Sequence, residues 1–204
     1  MKQKVISSFI VFTLIVIFNQ ILFHIDIKNQ SYDAEVINKA GRQRMRSQQI
    51  TKMALYADEV KNSSFYYFDM KTLGEIIVDF KEVNAFLEYM NTTHYKHEIL
   101  DSLQTQNKVY FDKIVASSDY ILKNQDDAAA FKSFLIAIKS NEADFLKTMN
   151  TIVAEYQKIS EKKLHRLEKL QFFFNAISLL LLFYILFTII IPLLKVPRIR
   201  ARFN

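Results

Sequence analysis

Two stretches without a single Asp, Glu, Lys or Arg constrain this 204-residue chain more than any other feature. Val5 to Ile25, VISSFIVFTLIVIFNQILFHI, runs for 21 residues, and Leu170 to Leu194, LQFFFNAISLLLLFYILFTIIIPLL, for 25. At ~1.5 Å per residue, either is long enough as a helix to cross the ~30 Å hydrocarbon core of a bilayer. A cleaved secretory signal is the competing reading of the first stretch. FNQILFHID offers no small-residue cleavage site, however, and the first alanine is Ala34. An uncleaved membrane helix is therefore expected at 5–25 and a second at 170–194.

The formal charge of +6 would ordinarily suggest a nucleic-acid partner, so its location decides. Between Asp26 and Lys169, 21 basic and 21 acidic residues cancel. The surplus is Lys2 and Lys4 before the first span, and Lys195, Arg198, Arg200 and Arg202 after the second. The positive-inside rule then makes segments 1–4 and 195–204 cytoplasmic and puts 26–169 outside. The nucleic-acid reading falls away.

With two glycines, two prolines and no cysteine, the outside segment is expected to be all helical and without disulfides or Cys-ligated metal. Short polar breaks at 61–69, 91–97 and 123–127 divide it into four helices, and Thr72 with Glu75 has capping-box spacing. Leu73, Ile77, Phe80, Asn84 and Leu87 form a seam on the second helix. Leu100, Leu103, Tyr110, Ile114 and Ile121 do so on the third. The fourth carries Phe131, Phe134, Ile138, Phe145, Met149, Ile152, Tyr156 and Ile159. Such seams predict an antiparallel four-helix bundle. Without a breaker, its first and fourth helices are expected to be continuous with the two membrane helices, each a rod of roughly 85–100 Å.

Within the first helix, INKAGRQRMRSQQ places arginines at 42, 44 and 46 beside Gly41. Steps of four and three from Ile37 give Gly41, Arg44, Gln48, Thr51 and Leu55, one stripe along the helix. Arg44 is thus expected on the seam, with Lys39, Arg42 and Arg46 turned to solvent. From Val36 to Ala57 there are five basic residues and no acidic one. A guanidinium on a packed seam cannot shed its proton, so its anion must come from elsewhere. Two sources stand. Arg44 pairs with an acid on another helix, Glu142 or Glu155, with Gly41 allowing close packing. Alternatively, a two-fold dimer packs along this stripe, and an external anion bridges facing copies of Arg44.

INKAGRQRMRSQQ also resembles the motif in the extracytoplasmic helical domains of PilJ-type receptors associated with type IV pili and of nitrate/nitrite sensor kinases. In those families it lies just after the first membrane span, as here. The resemblance implies a bacterial inner-membrane sensor with a periplasmic domain and a nitrate- or nitrite-like ligand held at a homodimer interface. The arginine before the methionine would contact the anion beside the motif glycine, which here are Arg44 and Gly41, with Ile37 and Gln48 on the same stripe. Arg46 and Gln49 depart from the family pattern. IIIPLLKVPRIRARFN begins like the Pro-Leu entry to a HAMP linker and then ends, so output is expected to pass to a separate signalling partner.

His94, His97 and Glu98 read either as a polar helix start or as metal ligands without a fourth donor. SFYYF at 64–68 either plugs the end of the bundle or offers a docking patch. Asn19, Gln20 and Asn175 are costly in lipid and are expected to face a helix, with ordinary inter-span hydrogen bonding as the default and a role in dimer register as the alternative. LHRLEKLQ, 164–171, is an amphipathic run ending the fourth helix. With no nucleophile and base at motif spacing and no phosphate-binding glycine loop, neither catalysis nor a cofactor is expected. The competing function is a structural or regulatory membrane protein that docks on a receptor or the pilus machinery and binds no ligand.

Overall fold

The computed structural model describes residues 2–59, 65–125 and 127–191. Four α-helices account for nearly all of them: α1 (Lys2–Glu59), α2 (Phe65–Met90), α3 (Glu98–Lys123) and α4 (Ala128–Ile185). Two π-helical turns, Asn91–Tyr95 and Leu186–Ile190, complete the order, and no strand occurs among the described residues. The chain divides into two compact units, one of residues 1–31 with 160–204 and one of residues 32–159. The end of the second apolar run and the basic tail at 195–204 lie outside the described residues.

The central unit has one core to which all four helices contribute. Phe80 of α2 lies 4.8 Å, ring to ring, from Phe111 of α3 and 5.4 Å from Phe145 of α4. The α4 seam is buried at Phe131, Ile138, Phe145, Met149, Ile152 and Tyr156, and that of α2 at Leu73, Ile77, Phe80 and Leu87. α1 differs from the stripe expected of it. Its buried face is centred on Val36, Ala40, Gln43, Ser47, Ile50, Ala54 and Ala57, one position round the helix from the Ile37, Gly41, Arg44 series, of which Thr51 is buried as well. The reason is steric. Three large rings from the other helices fill the centre, so α1 meets them with small residues, and Gln43 Nε2 donates to the Phe80 carbonyl at 3.1 Å.

Local chemistry sets the helix ends. Asp127 caps α4, its carboxylate accepting from the Ala130 amide at 3.0 Å. After the turn at Asn91–Tyr95, Lys96 takes the left-handed conformation with φ 47°, and its amide closes on the Asn91 carbonyl at 2.8 Å. His97 is extended and α3 starts at Glu98. Thr72, expected near a helix start, lies two turns inside α2, because Phe65–Asp69 are already helical. Of the 61–69 break, residues 61–64 lie outside the described residues, and Tyr66 packs against the core.

At one end of this unit, Tyr95 donates to the buried carboxylate of Asp33 at 2.7 Å, and its ring lies 4.9 Å from that of Tyr156. Gln104 Nε2 donates to the Tyr156 hydroxyl at 2.9 Å. Burial, then the Asp33 bond and charge, push the Tyr95 hydroxyl well above its ordinary range; burial does the same to Tyr156.

In the other unit, Asn19 Nδ2 donates to Asn175 Oδ1 at 2.5 Å and Phe18 packs edge-on against Phe174 at 5.0 Å. Each apolar run presents many exposed large side chains, among them Ile10, Leu14, Ile17 and Ile21 in the first and Phe172, Phe173, Leu180 and Phe187 in the second. None of the most apolar window of the first is buried, and 6% of that of the second. The helices bearing these runs are long and apolar enough to cross a membrane.

Because both tyrosines are raised above their unfolded range, the neutral fold is fully stabilised below about pH 10 and loses stability as pH rises beyond it. Thermal unfolding of the full chain in detergent micelles, followed by circular dichroism, is expected to hold level to about pH 10 and then drop. Tyr95→Phe is expected to lower stability at neutral pH by about 1.5–3 kcal/mol and to flatten the alkaline decline.

Candidate functional site

Among the described residues, the arginines at 42, 44 and 46 have one carboxylate among them. Asp79 of α2 accepts from Arg46 Nε at 2.6 Å and from Arg42 Nη2 at 3.3 Å. Partial burial alone would raise the Asp79 carboxyl. The hydrogen bond and charge of Arg46, with those of Arg42, outweigh it and hold the group below the usual carboxylate range. Arg46 also donates through Nη1 to Gln49 Oε1 at 2.7 Å. The expectation that both turn to solvent holds for Arg42, which is exposed though paired, and fails for Arg46, which is part-buried. A step of four along α1 sets both against α2, where Asp79 spans them. Lys39 likewise reaches inward, 3.8 Å over the Phe86 ring, while pairing with Glu35 at 3.4 Å.

Arg44 points elsewhere. Its Nη1 donates to the side-chain oxygen of Asn150 on α4 at 2.7 Å, and no carboxylate lies within ion-pair distance among the described residues. Neither acid expected of it is its partner. Glu155 is held by Lys158 at 3.1 Å, and Glu142 lines a groove further along. Arg44 is half-buried at the edge of the core rather than on the packed seam. The guanidinium folds back over Gly41, where a Cβ would stand 3.7 Å from Arg44 Nη2. That is ordinary contact, so within one chain the glycine leaves room beneath the guanidinium without being obligatory.

Of the other residues on the expected stripe, Ile37 packs against the core, while Gln48 is exposed. Gln48 borders a groove of ≈ 380 Å³ with Thr51, Lys52, Leu55, Tyr56 and Glu142. Arg44, Gly41, Ile37 and Gln48 thus share one side of α1, partly open, beside the buried face. Sequence reasoning missed Asp79 and Asn150. Asp79 had left a signal. Glu75, Asp79 and Glu82 stand at steps of four and three alongside the α2 seam, a row of acids on the helix that follows a stretch with none. Asn150 carries no charge to search for.

His94 Nε2 stands 4.0 Å from Asp33 Oδ1, beside the Tyr32 and Tyr95 rings, and Glu98 opens α3. Among the described residues no group of three or more His, Cys, Asp or Glu is placed to hold a metal ion.

A depressed carboxylate pKa stabilises the fold above the unfolded value of about 4, and that contribution is lost as pH falls through the folded value. Asp79→Asn is expected to cost about 1–2 kcal/mol near neutral pH and to remove part of the acid-induced loss seen below about pH 4. Denaturant titrations of both chains between pH 3 and 7 measure it.

Compared with known families, residues 27–66 match the model described as PilJ, Type IV pili methyl-accepting chemotaxis transducer N-term. No curated protein and no solved structure matches the chain. The matched stretch contains all three arginines and Gly41, and it supports a PilJ-type sensor relation. With two helices apolar enough to cross a bilayer, it is compatible with a two-pass inner-membrane protein and suggests a membrane-associated sensory module of the chemotaxis-transducer kind.

Proposed function

We propose that this chain is a non-enzymatic sensory input module of the bacterial inner membrane. Its termini are cytoplasmic, and residues 26–169 form a periplasmic antiparallel four-helix bundle. Two copies pack along α1, a small oxyanion of the nitrate or nitrite kind bridges their Arg44 side chains, and a shift of α1 against α4 is passed to a separate cytoplasmic signalling partner. The observation that carries this reading is the contrast among the arginines. Arg42 and Arg46 share Asp79, while among the described residues Arg44 has only the neutral amide of Asn150 as side-chain partner and keeps N–H donors to spare. A guanidinium so placed is a ready donor to an anion, and its fork suits a planar oxyanion.

The Arg44–Asn150 bond also supplies a route to output. An anion that takes the guanidinium from Asn150 removes a tie between α1 and α4. Ligand affinity then differs between the tied and untied arrangements, as any ligand-driven shift requires. The same bond favours a second reading, in which Arg44 is a structural link and the protein docks on a receptor or pilus component without sensing.

Thermal unfolding of the full chain in detergent with nitrate, nitrite, sulfate or chloride separates the two. The sensor reading expects one oxyanion, at a hundredfold excess over Kd, to add about 2.7 kcal/mol, and Arg44→Ala to abolish that gain with little loss of basal stability. No anion-specific gain, together with early unfolding of Arg44→Ala, would leave the structural reading. Gly41→Ala tests the dimer face independently. In a lone chain it is expected to stabilise by about 0.4–1 kcal/mol. Loss of dimer on light scattering would mean that a second copy needs the space above Gly41.

A further inference from the structure

We propose that the stretch of α4 just outside the second span binds anionic phospholipid headgroups, with Lys162, Arg166 and Lys169 contacting phosphate and Phe173 seated among the upper acyl chains. The inference rests on the two-pass reading above and does not depend on the anion held by Arg44. It starts from the amphipathic run that precedes the second span, to which the proposed function gives no role. Residues 162–169, KKLHRLEK, hold four basic residues and one acid directly before the apolar run that begins at Leu170.

Helix geometry sorts these charges. Steps of four, three and four join Lys162, Arg166, Lys169 and Phe173, which project within about 60° of one another. All four are exposed. Leu164, Leu167, Gln171 and Phe174 lie on the opposite side and are partly buried, and the Phe174 ring packs 5.0 Å from that of Phe18. The stripe therefore faces away from the helix that Phe174 packs against. None of its three cations has an ion pair among the described residues. The nearby acids, Glu161 and Glu168, project more than about 100° from the centre of the stripe, and His165 Nδ1 stands 3.1 Å from Glu168.

Depth selects the occupant. With Leu170 at the hydrocarbon edge, a rise of ~1.5 Å per residue places Lys169, Arg166 and Lys162 about 1.5, 6 and 12 Å outside it. The headgroup layer of each leaflet is ~5–8 Å thick, so Lys169 and Arg166 fall within it. Lys162 reaches its outer boundary along a flexible four-carbon stem. Residues three or four apart stand about 5–6 Å from one another at Cβ, which lets Arg166 and Lys169 close on one phosphate, Arg166 through its guanidinium fork. Below them Phe173 and Phe172, 57% and 77% exposed, carry the surface into the acyl chains. A soluble acidic partner would match the cations but not an apolar foot immersed in hydrocarbon. A lipid with an anionic head matches both, and it fixes the depth and rotation of α4 where that helix enters the bilayer.

The chain has no tryptophan, so single introduced tryptophans report alone. The full chain carrying Phe173→Trp is reconstituted into vesicles that contain bromine-labelled phosphatidylglycerol or phosphatidylcholine as quencher. Because each cation near the surface contributes up to about fivefold, the site is expected to prefer phosphatidylglycerol by about tenfold. Phe23→Trp, exposed at the outer end of the first span, is expected to show no such preference. Lys162→Gln, Arg166→Gln and Lys169→Gln together should bring the preference at Phe173→Trp close to unity. Lys162→Arg with Lys169→Arg keeps the charges and should keep the preference, while unchanged quenching by phosphatidylcholine reports that every variant still inserts. No preference at Phe173→Trp, an equal preference at both reporters, or one that survives the triple substitution would each overturn the proposal. So would its loss in millimolar inorganic phosphate at constant ionic strength, which would make a free anion the occupant. If neither lipid quenches either reporter, the two-pass reading is overturned and the proposal with it. The oxyanion response is scored separately through Arg44.

Discussion

Three guanidiniums lie within five residues of a helix stretch that has no acid from Val36 to Ala57, and this shortage governs the central unit. A guanidinium stays protonated, so each must find acceptors on other helices or in water. Asp79 serves two of them because residues four apart project from the same side of α1. Arg44, two positions from either, cannot reach the same carboxylate and crosses to Asn150 on α4. The arginine cluster therefore ties α1 to α2 with ionic bonds and to α4 with one bond to a neutral amide. The second tie is the easier to exchange, since a charged acceptor outcompetes an amide for a guanidinium.

Packing reinforces that asymmetry. Phe80, Phe111 and Phe145 bring α2, α3 and α4 together around a centre of rings, and deleting any such ring leaves a void the neighbours cannot fill. α1 contributes mainly small side chains, Ala40, Ser47, Ala54 and Ala57. It adds polar ties such as Gln43 to the Phe80 carbonyl. An element held by polar bonds and small contacts has a lower barrier to displacement than one locked by interdigitated rings.

The seams of α2, α3 and α4 were legible because large apolar residues at helical spacing announce a buried face; Leu73, Ile77, Ile114, Ile138 and Met149 are all buried. α1 was misread by one position because its buried face is written in Ala, Ser and Gln, which hydrophobic periodicity does not weigh. Ile37 and Leu55 drew the stripe toward themselves, yet Leu55 is 40% exposed. The site was legible in outline, since the separation of Arg44 from its two neighbours follows from helix geometry. Its partners were not. A charge deficit directs attention to carboxylates, whereas Asn150 answers with an amide, and Arg46 proved to be the closer partner of Asp79 at 2.6 Å.

The same reasoning about unsatisfied groups connects the two units without any appeal to their arrangement. In the central unit, a cation meets a neutral acceptor and retains donors; in the apolar runs, Asn19 Nδ2 donates to Asn175 while Asn19 Oδ1 is buried without a partner among the described residues. Both are polar groups satisfied more weakly than their surroundings demand, and both lie on α1. Under the proposed function the further acceptor of Arg44 is an anion, because no redistribution of neutral amides can neutralise a guanidinium.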